Sequence, residues 1–410
     1  MLARLKETYP ALGQRNFRYF WFGQCISLIG TWMQATAQQW LVYTLTKSAL
    51  LLGLLGVAQF GPVMFLSLFA GVFIDRYPKK RLLIFTQINL MLQAFILALL
   101  VWSGHVTYWN VFFLAILLGL FNTFDQPTRQ AFTPELVERK DLRSAIGLNS
   151  AIFNVARMIG PALSAVLMAK YGAGPLFFFN GISFIPVIIG LYLIKTEPHE
   201  HKKVRSKVLV EILEGLKYIR QSPPLLSAVL STLVVGTFVM NFNIIIPLYA
   251  AEVLHQDVHG YGFLLSATGA GSFVGAVLVA SWAKGNPKLS LLLGSAFIVS
   301  VLLIAVEPIR NFPLAAVTFM IIGFFNIMFM TTANSTLQIN SSEQFRGRVM
   351  SVYSFAFLGT TPIGNLFAGS IMEKLGAGIG ISICGAVSGL LIMLIVIITL
   401  IKQRAPRPTV

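Results

Sequence analysis

Charged side chains are scarce in the apolar stretches of this sequence, and three of them could do chemistry there. Asp125 and Arg129 stand four residues apart near the end of an apolar stretch, so a helix would place them one turn apart. Arg157 lies about thirteen residues into the next stretch, roughly 20 Å along a helix. Ionisable residues inside a membrane are costly and by default indicate function. These residues are therefore candidates for ion coupling, gating or substrate binding.

Each of these charges has a structural alternative. Asp125 could carry a proton, or it could pair with Arg76 or Lys79 in a charge cluster at a helix end. Arg157 could bind an anionic substrate, or it could be neutralised by Asp125 or by backbone carbonyls. No acid falls clearly at mid-membrane depth, and Asp125, near the inner end of the fourth apolar stretch, is the best available candidate for proton coupling.

A row of polar residues marks the first apolar stretch. Its members follow spacings of three and four residues and would line one face of a helix: Gln24, Ser27, Thr31, Gln34 and Gln38. Because polar groups that face lipid without partners are costly, this row should face a cavity or another helix.

The elements that position these residues follow from composition. The 410 residues are 56% hydrophobic and 11% charged, with a mean hydropathy of +0.76, which excludes a soluble globule. Twelve apolar stretches are long enough to cross a bilayer as helices, and barrel strands would be shorter and would alternate. The sequence predicts an all-α integral membrane protein with twelve transmembrane helices.

The twelve helices divide into two similar sets of six. At an offset of 204 residues, Asn122 corresponds to Asn326, and a Gly-aromatic pattern precedes both. We expect bundles at residues 1–195 and 225–410, joined by a cytoplasmic linker at 196–224. Membrane proteins built from two such halves often have a binding site at the interface of the halves and work by rocking one half against the other. At the same offset Asp125, Arg129 and Arg157 fall on Phe329, Ala333 and Thr361, so the charges belong to one half.

The net charge of +16 reflects topology rather than a nucleic-acid partner. If the N-terminus is cytoplasmic, the inner loops and tails hold 26 of the 31 Lys and Arg residues. Both termini are therefore expected in the cytoplasm.

The linker carries two features. His199 and His201 lie among charges and are expected to be solvated, so no metal site is predicted. Apolar residues at helical spacing between Ser206 and Arg220 predict an amphipathic helix on the inner membrane surface. Cys25 and Cys384 fall within spans and give no disulfide framework.

The loop after the second span carries a charge motif. Gly71 is followed by Asp75, Arg76 and a basic cluster that includes Lys79. This pattern resembles the signature loop of the major facilitator superfamily, although Pro78 replaces the usual Gly. The resemblance implies a cytoplasmic latch between the two halves. The alternative is that these charges set topology alone, which leaves Asp75 unexplained.

A second motif lies in the fifth span. Gly160 and Pro161, with small residues nearby, are similar to the Gly-Pro motif of antiporters in that superfamily, although Ala156 replaces its first Gly. Such residues permit close helix contact and a helix bend. The motif favours export, and ordinary helix packing is the alternative.

The N-terminal half also resembles the bacterial enterobactin-exporter-like branch, or transmembrane secretion effectors. The segments that carry this likeness are Asn16–Arg18, Gly30–Gln34, Phe124–Ala131 and Asn149–Ser150 before Arg157. In the superfamily, the first, fourth, seventh and tenth helices line a central cavity. The resemblance therefore implies these cavity residues: Thr31, Gln34, Gln38, Asn122, Asn241, Asn326 and Phe329.

The predicted function is secondary transport across a bacterial inner membrane by a monomer without cofactors. The leading interpretation is a proton-coupled exporter of amphipathic small molecules such as drugs or siderophores. A lipid or lysolipid flippase is the alternative within transport, and dye export against lipid scrambling would separate the two. A non-transporting receptor does not account for the latch loop and the paired halves. An enzyme is disfavoured because no catalytic spacing is found around the five histidines. Transport driven directly by ATP is disfavoured because no Walker-type loop appears.

Overall fold

The computed structural model describes residues 9–195, 208–282 and 288–404, and these residues form helices without a strand. The helices of the first part are α1 (Arg15–Thr46), α2 (Ala49–Arg76), α3 (Lys79–Trp102), α4 (Tyr108–Phe132), α5 (Leu142–Tyr171) and α6 (Gly174–Leu193). Those that follow are α7 (Val208–Gln221), α8 (Pro223–Phe238), α9 (Phe242–Leu248), α10 (Val258–Trp282), α11 (Leu289–Val306), α12 (Phe312–Ile339), α13 (Glu343–Ser354), α14 (Thr361–Leu375) and α15 (Ala377–Arg404). Short 3₁₀ helices precede α1 and connect α4 to α5, at Pro10–Gly13, Thr133–Glu135 and Arg139–Asp141.

The residues that the structure describes form twelve spans, as predicted. Eleven are long and apolar enough to be recognised by composition, with α8–α9 and α13–α14 each forming one span. The twelfth is α1, a helix of 32 residues whose hydropathy is lowered by the glutamine row. Two spans are irregular, because π-helical turns follow α9 at Tyr249–Val253 and α13 at Phe355–Gly359.

Contacts divide the chain into two compact units. Unit 1 comprises Met1–Lys47, Gly61–Val204 and Val258–Ser266, and unit 2 comprises Ser48–Phe60, Arg205–Asp257 and Ala267–Val410. The start of α2 thus belongs to unit 2, and the start of α10 belongs to unit 1. The two bundles at residues 1–195 and 225–410, with their linker at 196–224, stay a prediction.

The core of unit 1 depends on close approach of α1 and α6. A side chain at Gly23 would meet the backbone of Val187, and one at Gly190 would meet the carbonyl of Tyr19. Small residues are what allow two membrane helices to gain van der Waals contact at this distance. Phe20 packs edge-on against Phe132 at one end of this core, with ring centroids 5.8 Å apart.

The start of α10 and the start of α2 are each held in their unit by specific contacts. In unit 1, the ring of Tyr261 stacks on Trp40 at 5.4 Å, and its hydroxyl donates to Gln39 Oε1 at 2.8 Å. In unit 2, Glu373 Oε2 accepts hydrogen bonds from Ser48 Oγ at 2.9 Å and Leu50 N at 3.0 Å. The carboxylate therefore caps the first turn of α2, whose amides would otherwise lack partners.

The amphipathic helix predicted before the second half is α7, of which Val208–Gln221 is described. Within unit 2 it docks on α13, because the ring of Tyr218 stacks on Phe345 at 4.5 Å and an interplanar angle of 2°. The hydroxyl of Tyr218 accepts from Ser342 N at 3.1 Å, and Arg348 Nη1 donates to Glu214 Oε2 at 2.5 Å. Its position on the inner membrane surface stays a prediction, and His199 and His201 lie outside the described residues.

Candidate functional site

Asp125 lies in a polar site between α3 and α4 of unit 1. Its carboxylate is buried, with Oδ2 2.5 Å from Arg129 Nε. The other oxygen accepts from Thr86 Oγ1 at 2.6 Å and from Gln87 Nε2 at 2.8 Å. The helical turn places Arg129 beside Asp125, and the packing of α3 brings in the two neutral donors. The cation and the two neutral donors thus give partners to a buried carboxylate that would be costly without them.

The sequence suggested Arg76 or Lys79 as partners of Asp125, and the structure places both elsewhere. Lys79 pairs instead with Glu135, with Nζ 2.6 Å from Oε1. Arg76 ends α2 and is exposed. The side chain of Asp75 lies outside the described residues, so the latch role stays a prediction. Pairing of Asp125 with Arg76 or Lys79 is not the arrangement found.

The glutamine row of α1 packs largely between helices. Gln34 donates to Gln93 Oε1 at 3.0 Å and accepts from Asn180 Nδ2 at 2.8 Å, so its amide joins α1 to α3 and α6. Gln38 is also buried, while Thr31 is exposed and donates to the Ser27 carbonyl of its own helix. Gln34 thus faces other helices, one of the two alternatives that the sequence left open, whereas cavity lining by Thr31 and Gln38 stays a prediction.

The remaining predicted cavity residues are distributed over both units. Asn122 of α4 is half-buried in unit 1. Asn326 and Phe329 of α12 are fully buried in unit 2, and neither amide atom of Asn326 has a partner among the described residues. Asn241 stands at the break between α8 and α9, where its Nδ2 donates to the Thr237 carbonyl at 2.8 Å. Lining of a substrate cavity by these residues stays a prediction.

The Gly160–Pro161 motif forms a helix contact in unit 1. A Cβ atom at Gly160 would lie 2.5 Å from the Cβ atom of Trp32, so glycine is required for α5 to approach α1 this closely. One turn further, Ser164 Oγ donates to the Met33 carbonyl at 3.0 Å. Gly262, at the start of α10, packs against the carbonyl of Pro161. The motif therefore acts as packing surface here, and its link to antiport stays a prediction.

Arg157 lies near the midpoint of α5, fifteen residues after Leu142 and fourteen before Tyr171. Its side chain is half-buried and forms no ion pair with any residue in the described part of the chain. Asp125, its proposed neutralising partner, is engaged by Arg129. Two polar residues precede Arg157 on the same face, Ser150 and Asn154, and sequence reasoning did not single them out as a site. Their spacing of four and three residues was the available signal.

A chain with twelve apolar spans, buried intramembrane charges and irregular helices has the make-up of a polytopic membrane transporter. Solved structures share this fold. A bacterial homologue of the human lysosomal transporter Spinster matches with a TM-score of 0.71 and 13% identity over 99% of both chains. The POT family transporter PepTSo matches with a TM-score of 0.75 and 11% identity over 96% of this chain and 99% of its own.

The chain belongs to the family of transmembrane secretion effectors within the major facilitator superfamily, with a match over residues 6–407. It is 25% identical to the staphyloferrin A transporter of Staphylococcus aureus (strain NCTC 8325 / PS 47), covering 90% of this chain and 92% of that one. It is 23% identical to the multidrug efflux pump Tap of Mycolicibacterium fortuitum, covering 85% and 87%. Macrolide efflux protein A of Streptococcus pyogenes is 22% identical, covering 93% and 95%. The protein is thus a multi-pass membrane transporter of this superfamily and not an enzyme, as predicted.

Proposed function

We propose that this protein exports amphipathic small molecules from the bacterial cell by alternating access, in exchange for protons. The relatives whose names describe efflux of drugs and macrolides support export, and the staphyloferrin A transporter supports siderophore-like cargo as a second class. The protein acts as a monomer in the inner membrane with both termini in the cytoplasm, in keeping with the distribution of Lys and Arg.

The observation that carries proton exchange is the buried ion pair of Asp125 and Arg129. Protonation of Asp125 would cancel the attraction that holds the guanidinium in place and would leave Arg129 as an uncompensated, partly buried cation. The cation would then favour a conformation that gives it water or another anion. A proton could thus shift the balance between two states of the carrier, as a ligand with different affinity for each state does.

The second unit lacks these charges at corresponding positions. Phe329 and Ala333 stand where the repeat would place a second acid and a second arginine, and both are buried. We therefore assign coupling to the N-terminal half, and we assign one apolar wall of the cargo site to the C-terminal half.

The test uses a pump-deficient bacterium that expresses this chain, grown on a panel of toxic compounds and siderophores. Asp125→Asn should reduce export at least tenfold while cargo binding is kept. Glu138→Gln, which breaks the exposed ion pair with Lys140, is the matched control and should export normally. Full activity of Asp125→Asn would remove Asp125 from coupling.

A double variant separates coupling from charge balance. In Asp125→Asn alone, Arg129 is left buried without its anion, so a loss of export could be structural. Asp125→Asn with Arg129→Gln restores neutrality. The double variant should regain folding but not gradient-driven export if Asp125 carries the proton. If export returns in the double variant, the pair is structural and the coupling proposal is wrong.

A further inference from the structure

A polar face of α5 is open in unit 1 and has no assigned role. Ser150 is exposed, Asn154 and Arg157 are half-buried, and a side chain at Gly147 would meet nothing within 4 Å. Spacings of three and four residues place these four positions on one side of the helix. The face is therefore accessible along about three turns.

This face is not the lipid-facing side of the helix. One, two and three turns beyond Arg157 the same side carries Pro161, Ser164 and Met168, which are buried. Beyond Arg157 and as far as Val166, the exposed residues of α5 lie on the other side and are apolar, as at Ile159, Leu163 and Val166, whereas before Arg157 the polar face also exposes Ile146 and Phe153. A membrane helix exposes its apolar side to lipid and keeps polar groups toward protein or water. The stretch from Gly147 to Arg157 therefore lies on the side of α5 that, beyond Arg157, packs against protein.

Arg157 places an unneutralised cation on this face. No acid among the described residues pairs with it, and the carboxylate of Asp125 is already bound by three side chains. A guanidinium at mid-membrane is costly unless an anion or water compensates it. Its planar, forked donors match carboxylate, sulfonate or phosphate oxygens.

An aromatic wall adjoins this cation. Phe153 lies one turn before Arg157, and its ring packs edge-on against Trp32, with centroids 5.9 Å apart. Trp32 also contacts α5 one turn after Arg157, at Gly160. Both rings therefore lie beside α5 within one turn of Arg157 and could hold an apolar body, while Ser150 and Asn154 offer neutral hydrogen-bonding groups.

We propose that Arg157 binds the negatively charged head of an amphipathic organic anion whose apolar part packs on Trp32 and Phe153. This assignment rests on the proposed export function and specifies its cargo as anionic. An anionic lipid headgroup would offer Arg157 the same oxygens, so the test includes an arm for each source.

The experiment measures binding in nanodiscs, separately from export. The probe is pyrenebutyrate, with uncharged pyrenebutanol as its matched analogue, and energy transfer from tryptophan to pyrene reports binding. Arg157→Gln should weaken pyrenebutyrate binding about 10- to 100-fold, the usual range for one charge-assisted hydrogen bond, and should leave pyrenebutanol unchanged. Arg157→Lys should retain most of the preference, and Arg143→Gln, an exposed arginine of the same helix, should bind as the unmodified protein does.

Three results would overturn the assignment. The first is that the unmodified protein binds the two probes equally. The second is that Arg157→Gln loses binding of both probes equally. The third is that pyrenebutyrate binding is lost in nanodiscs rich in phosphatidylglycerol but is kept in nanodiscs of phosphatidylcholine. The third would assign the anion site to lipid. Export of the toxic-compound panel is scored independently, so failure of export with intact anion binding would contradict the proposed function alone.

Discussion

Asp125 and Arg129 form an ion pair within a single turn of α4, with Oδ2 and Nε 2.5 Å apart. Because both residues belong to one helix, the pair moves with α4 and cannot itself fasten two helices together. The link to α3 comes instead from Thr86 and Gln87, which donate to the second carboxylate oxygen. A change in the charge of Asp125 would therefore be felt first at the contact between α3 and α4.

Removal of Arg129 alone should destabilise the protein. Arg129→Gln leaves a buried carboxylate without its cation, which costs about 3–5 kcal/mol for a buried pair, and less where water reaches the site. We expect a lower midpoint of thermal unfolding in detergent. The double variant with Asp125→Asn should recover most of the loss, and a double variant as unstable as Arg129→Gln would show that the two residues are not energetically coupled.

The amide network at Gln34 should contribute to stability. Gln34→Leu removes two hydrogen bonds between helices and leaves polar atoms of Gln93 and Asn180 buried without a partner. Each such group costs about 1–3 kcal/mol. We expect a lower unfolding midpoint, measured against Thr31→Val, whose exposed hydroxyl bonds within its own helix and should change stability by less than about 0.5 kcal/mol. Equal midpoints for the two variants would contradict the network.

Gly160 should tolerate no side chain. In Gly160→Ala the new methyl group would meet the Cβ atom of Trp32, so α1 and α5 must separate, at a cost of about 1–3 kcal/mol. Gly147→Ala on the same helix is the control, because open space surrounds that position. Thermal stability should fall in the first variant and stay unchanged in the second, and export should fall in the first variant. A stable, active Gly160→Ala protein would contradict the close contact.

The docking of α7 on α13 should depend more on the aromatic stack than on the ion pair. Glu214 and Arg348 are partly exposed, so Arg348→Gln should weaken docking by at most about 1 kcal/mol, and less at high salt. Tyr218→Ala removes the stack on Phe345. It should therefore speed amide hydrogen exchange in residues 213–221 more strongly than Arg348→Gln does. Tyr218→Phe keeps the ring and is the control. Faster exchange in Arg348→Gln than in Tyr218→Ala would reverse this order.

The fold was predictable from the sequence because a bilayer imposes local requirements. Twelve apolar stretches of sufficient length can cross it as helices, and hydropathy and length are properties of each stretch by itself. The α7 helix was predicted for the same reason, since the periodicity between Ser206 and Arg220 is local. Even α1, the span that composition alone describes least well, was recognised from its length.

The partners of the polar residues were decided by the tertiary structure. Spacing placed Gln34 on the polar face of α1, but the packing of that helix against α3 and α6 gave Gln34 its partners, Gln93 and Asn180. Spacing likewise made Arg129 available to Asp125, whereas Thr86 and Gln87 joined them through the packing of α3. The sequence by itself determined which segments enter the membrane and which carry charge. The tertiary structure decided which face of each helix packs against other helices and which stays partly exposed, as at Arg157. Small residues such as Gly160 determine this packing, because they set how closely two helices approach.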